Sequence, residues 1–486
     1  MIPTWQCATP ASVIQQLKAD EFLVVIPSPE MPEKSPFIKE LEDLASQNLH
    51  QIHHYAATHV GFIGAEQKTP FLMVEWLERQ SDTLELRWLL RWAFNRCKAL
   101  FKSKKPVVFL PAPGINIQHV FAEDLFFSNA KQDMARHHFN DVKIILEDES
   151  HSSIDQTKLR FDHQLGYRSW INENPDDLTS IEMATRLGEF AKSHDCHFEV
   201  FDVDRLKKER MNLILAVGQA SQKSPSRLII LHKNLKQGAQ PLTLIGKGIT
   251  FDTGGINVKP FDSHVNCMKN DMGGASLMAH LFMGLVKSGY QKPIALVIPA
   301  CENLVGSESM KPGALVKSRQ GQEVMIEHTD AEGRLILADA IDYASETLNP
   351  KQMIVAATLT TAALRQFTGY MTPVYFADDQ FKKALTKAGS VWGEKFTFWD
   401  SFLPFEVANR TPSADITNMG RLPSKASIGG GSAVAAHFLK TFTKAPLIHI
   451  DIFASCWNWS GDYPGAAYGA TGAPYNSLFD TLRHFS

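Results

Sequence analysis

Asp330, Glu332 and Arg334 stand at alternate positions in the stretch Glu327-His328-Thr329-Asp330-Ala331-Glu332-Gly333-Arg334-Leu335. Alternate side chains of an extended chain point to one side, so two carboxylates and a guanidinium would meet there. Paired carboxylates suit a hard divalent cation, which prefers oxygen ligands. The competing reading is a solvated, charged turn. A second stretch adds to the inventory: Lys247, Asp252, Lys259 and Asp271 fall among Gly246, Gly248, Gly254-Gly255 and Gly273-Gly274. Glycines let the backbone bend and approach closely. Taken singly, Lys247 reads as a loop lysine, Asp252 as a turn residue and Asp271 as a helix cap. The joint occurrence of all seven residues outweighs these separate readings. A phosphate-binding loop is excluded, because Gly248 follows Lys247 where Ser or Thr is needed and Leu242 stands where the first glycine should be.

The elements that must position these residues follow from hydrophobic spacing. Val324, Ile326 and His328 alternate with Met325 and Glu327 as in a strand, and helical spacing begins at Leu335. Leu242–Ile245 reads as a strand running into glycine, and Ala275–Lys287 as a helix that places Asp271 just ahead of it. Further strands are expected at Leu213–Val217, Leu228–Leu231, Ile294–Ile298, Met353–Ala356 and Leu447–Asp451, with a helix over Ile181–Ala191. A tight loop at Gly429–Ser432 leads into another helix ending near Phe442. Apolar strands separated by helices predict an α/β fold with a sheet covered on both faces. Residues 1–150 form a smaller α/β domain, with strands at Phe22–Ile26, Phe71–Val74, Val107–Leu110 and Val142–Leu146 and a helix over Leu84–Phe101. The polar run Glu147–Ser153 marks the boundary, and the second domain takes residues 165–486.

At 486 residues the chain exceeds one core. Its net charge of −3 favours neither nucleic acid nor an acidic membrane surface. The N-terminus lacks the basic and apolar regions of a signal peptide, and the longest apolar run, Met353–Leu364, is too short to span a bilayer. Cys7, Cys97, Cys196, Cys267, Cys301 and Cys456 form no Cys-x-x-Cys pair, which predicts a reducing cytoplasm with the thiols as small hydrophobes.

The two motif stretches resemble the leucyl aminopeptidase family, the two-metal cytosol aminopeptidases. The family signature Asn-Thr-Asp-Ala-Glu-Gly-Arg-Leu is met by His328–Leu335 at every position but the first. Its upstream Gly-Lys-Gly, Phe-Asp-x-Gly-Gly, Lys-Pro and Met-Lys-x-Asp-Met are met by Gly246–Gly248, Phe251–Gly255, Lys259-Pro260 and Met268–Met272. The resemblance covers residues 165–486, and the N-terminal domain's family counterpart is macro-domain-like and non-catalytic.

Chemistry follows from the gathered residues. Four crowded carboxylates repel strongly at low dielectric. Two divalent ions balance them and leave Lys259 and Arg334 as positive groups facing the substrate. Two metals about 3.5–4 Å apart share a water and lower its pKa, which predicts a bridging hydroxide that attacks a peptide carbonyl. One metal and Lys259 would stabilise the oxyanion, while the other metal would bind the free α-amine, restricting cleavage to the N-terminal residue. By resemblance, Asp252, Asp330 and Glu332 form the looser metal site, and Lys247, Asp252, Asp271 and Glu332 the tighter one. Lys247 ligates only as a neutral amine, which requires a strongly depressed pKa. By resemblance too, Lys259 is the electrophilic lysine and Arg334 holds a bicarbonate ion that shuttles protons. The nearly all-oxygen ligand set suits Mn²⁺ or Mg²⁺, while family habit favours Zn²⁺ and Mn²⁺.

The chain departs from the family pattern in places. The interval from Lys259 to Asp271 is one residue longer than usual, and Ala314, Thr361, Phe453 and Cys456 replace the usual Asp, Gly, Ala and Met. His328 occupies the asparagine position and reads as a structural strand histidine, close enough to add or perturb a ligand. Met268, Thr361, Phe453 and Cys456 fall at positions like those lining the first side-chain pocket. The added bulk of Thr361 and Phe453 predicts a shallower pocket with leucine no longer preferred. The expected function is therefore a metal-dependent aminopeptidase acting on short peptides, as a homohexamer by resemblance. The alternatives are a non-catalytic DNA-binding or regulatory protein on the same fold, and a two-metal amidase acting on non-peptide substrates.

Overall fold

The computed structural model describes seven strands between residues 4 and 146, and residues 151–420, 431–459 and 468–485. Two compact units divide the chain. One comprises Met1–Asp162, Lys387–Glu394 and Asn458–Thr471; the other comprises His163–Thr386, Lys395–Trp457 and Gly472–Ser486.

In the first unit, β1 (Thr4–Cys7), β2 (Glu21–Val25), β3 (His53–Tyr55), β4 (Thr58–Ile63), β5 (Thr69–Val74), β6 (Lys105–Leu110) and β7 (Lys143–Leu146) make one mixed sheet of order β1-β7-β6-β2-β5-β4-β3. The four apolar runs expected there fall on β2, β5, β6 and β7. The helix expected over residues 84–101 lies outside the described residues. Helix α1 (His151–Asn172) begins within the polar run 147–153 expected to mark the boundary; residues 147–150 lie outside the described residues.

The second unit is built on a nine-stranded mixed sheet. Its strands are β8 (His197–Phe201), β9 (Arg227–Lys233), β10 (Leu242–Gly246), β11 (Gly248–Asp252), β12 (Ile294–Asn303), β15 (Gln352–Ala357), β16 (Met371–Tyr375), β17 (Lys395–Trp399) and β19 (Leu447–Asp451). The order is β17-β16-β19-β15-β10-β12-β9-β8, with β11 alongside β12. The central run β12-β10-β15-β19 is parallel and buried throughout. This burial on both faces explains why these strands read as continuous apolar runs. A separate small sheet joins β13 (Leu315–Lys317), β14 (Glu323–Met325) and β18 (Ile416–Thr417).

Helices cover the large sheet. Ile245, Ala295, Val297, Met353 and Val355, alternate residues of three strands, share one core with α3 (Asn212–Gly218) and α5 (Gly333–Tyr343). Helix α4 (Gly273–Lys287), buried over residues 273–286, packs against the opposite face of the same strands. Its N-terminus meets the sheet backbone to backbone: a Cβ on Gly274 would stand 2.2 Å from the Ala356 carbonyl oxygen, and one on Gly246 2.5 Å from the Gly274 carbonyl oxygen. Helix α2 (Ser180–Ser193) extends the helix expected over residues 181–191 at both ends, capped by Thr179.

Two expectations are corrected. Leu213–Val217 is not a strand but the body of α3, with Leu213, Ile214, Ala216 and Val217 buried. A five-residue apolar run suits a buried helix as well as a strand. The α3 N-terminus is fixed from afar: Asp339 of α5 accepts from the backbone N–H groups of Leu213 and Ile214 at 2.9 and 3.2 Å. The strand expected through His328 stops at Met325, leaving residues 326–332 irregular, and α5 begins at Gly333 rather than Leu335.

Candidate active site

From β10 the chain passes to β12 on one side and to β15 on the other, so the parallel order reverses there. Crevices at the carboxyl ends of strands beside such a reversal are where α/β sheets bind ligands. Lys247 follows β10, Asp252 and Asn303 end β11 and β12, Thr358 follows β15 and Asp451 ends β19.

At the buried end of the site, Lys247 Nζ lies 2.8 Å from both Asp271 oxygens and 2.9 Å from Glu332 Oε1, and it donates to the Thr358 carbonyl at 2.9 Å. Gly333 is required here by close approach, since its Cβ would stand 2.4 Å from Lys247 Cε. At the open end, Lys259 Nζ lies 2.8 Å from Asp252 Oδ2 and pairs with Asp330 Oδ1. Side-chain exposure orders the two ends: 3% for Lys247, Asp252, Asp271 and Glu332, 13% for Lys259 and 27% for Asp330. The cluster therefore opens to solvent on the side of Lys259 and Asp330.

The charges shift one another strongly. Burial disfavours the Lys247 ammonium, but Asp271, Glu332 and Asp252 outweigh it and drive its pKa upward. Lys259 is raised in the same way by Asp252 and Asp330. Burial, then repulsion from Glu332 and Asp252, raises Asp271 despite Lys247. Burial and repulsion from Asp252 and Glu332 lift Asp330 to about 7. Glu332 moves the other way, because Lys247 and Lys259 overcome its burial and hold it at about 2. Arg334 is buried, and that burial lowers it to about 10 despite Glu332 and Asp451. The direction at Lys247 differs from the depression that ligation requires. The acids around it favour the ammonium, and only divalent charge in the cluster reverses that preference.

The residues fit a cation. Ligand oxygens of Asp252, Asp271 and Glu332 lie within 4.8 Å of one another, all buried. Glu332 Oε2 is buried without a hydrogen-bond partner, an arrangement that costs free energy unless something positive or protic meets it.

Residues outside the motifs hold the ligands in place. Asn303 donates to Asp252 Oδ1 at 2.8 Å and to the Thr329 carbonyl at 3.1 Å. Thr329 Oγ1 donates to the Gly254 carbonyl, and Asn257 Oδ1 accepts the Thr329 N–H, which ties the two motif loops together. Asn418 accepts from the N–H groups of Glu327 and His328 and donates to the carbonyls of His328 and Ala331. The only sequence signal for Asn303 was a polar residue closing a long apolar strand; Asn418 had none. Asp451 collects Leu359 N–H, Thr360 Oγ1, Ser432 Oγ and Phe453 N–H, and fixes the loops that carry Thr361 and Phe453.

Among the expected pocket residues, Met268, Phe453 and Cys456 are buried, while Thr361 is exposed at the start of α6 (Thr361–Phe367). Met268 shares the 3₁₀ stretch Val265–Met272 with Asp271. Cys456 Sγ lies 3.6 Å from where a Gly273 Cβ would be.

Fold and site together define an α/β protein with a buried carboxylate cluster, suited to a cation, at its switch point. Residues 166–479 match the catalytic domain of the cytosol aminopeptidase family, and the chain belongs to that family. A "probable cytosol aminopeptidase" of Albidiferax ferrireducens is 35% identical over 319 residues, 65% of this chain and 63% of that protein. One from Methylibium petroleiphilum is 36% identical over 308 residues, 63% of this chain and 61% of that protein. The chain thus spans less than two thirds of the length of these relatives. Two solved structures share the fold. The bottromycin maturation enzyme BotP in complex with Mn has a TM-score of 0.77 at 23% identity, over 96% of this chain and 99% of that one. Leucyl aminopeptidase from Leishmania major in complex with actinonin has a TM-score of 0.79 at 19% identity, over 99% and 95%.

Proposed function

We propose that this chain is a two-metal aminopeptidase that removes the N-terminal residue from short peptides bearing a free α-amine. The reading rests on one observation: Lys247, Asp252, Lys259, Asp271, Asp330 and Glu332, drawn from separate segments, meet in one buried cluster of a cytosol aminopeptidase family member. Asp252, Asp330 and Glu332 would hold one ion at the open end, and Lys247, Asp252, Asp271 and Glu332 the other at the buried end. Divalent ions held there would supply Lewis acidity for activating water and polarising the scissile carbonyl. Zn²⁺ and Mn²⁺ are the proposed occupants, with Mg²⁺ also suited to the oxygen-rich set.

Lys259 lies at the entrance, where its ammonium meets the carbonyl oxygen as negative charge develops there. Arg334 offers a buried cation at the head of α5, suited to hold a small anion such as bicarbonate that takes and returns a proton. Met268, Thr361, Phe453 and Cys456 border the pocket for the first side chain, which favours small residues over leucine. Residues 1–150 serve as a non-catalytic domain. A cytoplasmic setting and a homohexamer complete the reading, on family resemblance.

The test is release of N-terminal residues from unblocked and N-acetylated dipeptides, with and without Mn²⁺ or Zn²⁺. A Lys259→Ala, Asp330→Ala double variant runs alongside. Metal-dependent turnover of the unblocked peptides alone, lost in the variant, is the expected result. No turnover across metals and peptides refutes the reading.

A further inference from the structure

The segment between β14 and α5 carries Asp330 and Glu332 yet belongs to no ladder or helix. Its backbone N–H groups are nevertheless met one after another. Glu327 and His328 donate to Asn418 Oδ1, Thr329 to Asn257 Oδ1, and Asp330 to His328 Nδ1 at 3.2 Å. The last of these is a side chain accepting from the backbone two residues on, the turn that asparagine and aspartate commonly close. His Nδ1 and Asn Oδ1 sit the same number of bonds from Cα, so an imidazole can occupy the asparagine position of the family signature and close the same turn. Accepting that N–H fixes the tautomer, with the ring proton on Nε2.

The turn matters because Asp330 is the most exposed acid of the cluster and is repelled by Asp252 and Glu332. Lys259 pairs with one of its oxygens, and the backbone that carries it lies in an irregular segment. We propose that His328 is a positioning residue, whose Nδ1 holds the Asp330 backbone in a turn and so keeps the Asp330 carboxylate aimed into the cluster. The proposal rests on the two-metal reading above and assigns His328 to the open-end ion.

The experiment is calorimetric titration of Mn²⁺ into the full chain stripped with EDTA, for wild type, His328→Ala and His328→Asn. Circular dichroism and the thermal midpoint in EDTA read folding separately. Expected are two ions for wild type. In His328→Ala one ion should keep its affinity while the other weakens about tenfold, the lower end of what losing a ligand's supporting partner costs. His328→Asn should recover the weakened ion. Wild-type affinities in His328→Ala would overturn the proposal by leaving the turn to Asn257 and Asn418. A His328→Asn variant as weak as His328→Ala would overturn it in favour of direct ligation through Nε2. Loss of both ions together with a collapsed thermal midpoint would make the residue structural, and so would overturn it too. A wild type that binds fewer than two ions would instead refute the two-metal reading, and this proposal with it.

Discussion

Replacing Asn418 by alanine tests whether the ligand loop is held from outside its own motif. The residue is fully buried, just past β18, and its backbone N–H continues that strand's pairing to Met325. Its amide makes two short bonds, from Glu327 N–H at 2.8 Å and to the His328 carbonyl at 2.7 Å, and two longer ones of 3.3 Å. The two short bonds contribute about 1 kcal/mol each, and the groups left unpaired add a desolvation cost, for a total of about 3 kcal/mol. At roughly 2 °C per kcal/mol for a domain of this size, the thermal midpoint in EDTA should fall about 6 °C. The same substitution frees the segment bearing Asp330 and Glu332, so Mn²⁺ affinity should fall as well. Differential scanning calorimetry and Mn²⁺ titration measure the two effects. A midpoint within about 1 °C of wild type, with unchanged Mn²⁺ affinity, would refute the argument, because the four bonds would then carry neither stability nor loop order.

Three further outcomes follow from the geometry. Gly333→Ala should drive Lys247 out of place and remove Mn²⁺ binding at the buried end; calorimetry that still finds two tight ions would contradict the close approach. Phe453→Ala combined with Thr361→Gly should raise kcat/KM for leucyl over alanyl amides by about 10- to 100-fold, as expected for a pocket regaining apolar depth; an unchanged ratio would remove both residues from the pocket wall. Burial, against the Ser276 carbonyl, depresses His280 from 6.5 to about 4. The folded state therefore resists its protonation, so its stability is intact above pH 6.5 and is lost as pH falls toward 4, by up to about 3 kcal/mol. Thermal midpoints of wild type and His280→Gln should converge as pH drops from 7 to 5, and parallel curves would refute the assignment.

The chemistry was legible because its residues sit in two short runs whose spacing is set by one loop each. The two stretches do meet in space, Lys247 against Asp271 and Glu332 and Lys259 against Asp252 and Asp330. Buried parallel strands were equally readable, since their apolar runs have no exposed face to interrupt them. What stayed hidden is non-local. Asn303 reaches Asp252 across 51 residues and Asn418 reaches Glu327 across 91, and an isolated asparagine carries no periodicity that points to its partner. The misreading of Leu213–Val217 has the same origin: its helical start is secured by Asp339, 126 residues away. The sign of the Lys247 shift was likewise invisible, because it depends on which acids crowd the amine in space.

The glycine contacts beneath the site divide what can vary in this chain from what cannot. Gly246 and Gly274 let strand and helix touch backbone to backbone where even one added methyl group would collide, so drift there is close to forbidden, whereas a methyl group at Gly333 would displace the end of Lys247. Thr361, first residue of α6, and Phe453, in the loop after β19, instead lie beside anchors on Asp451 that use the Thr360 hydroxyl and the Phe453 backbone rather than their own side chains. On the proposed function, the positions of Thr361 and Phe453 are free to vary while the buried cluster of carboxylates and lysines stays fixed.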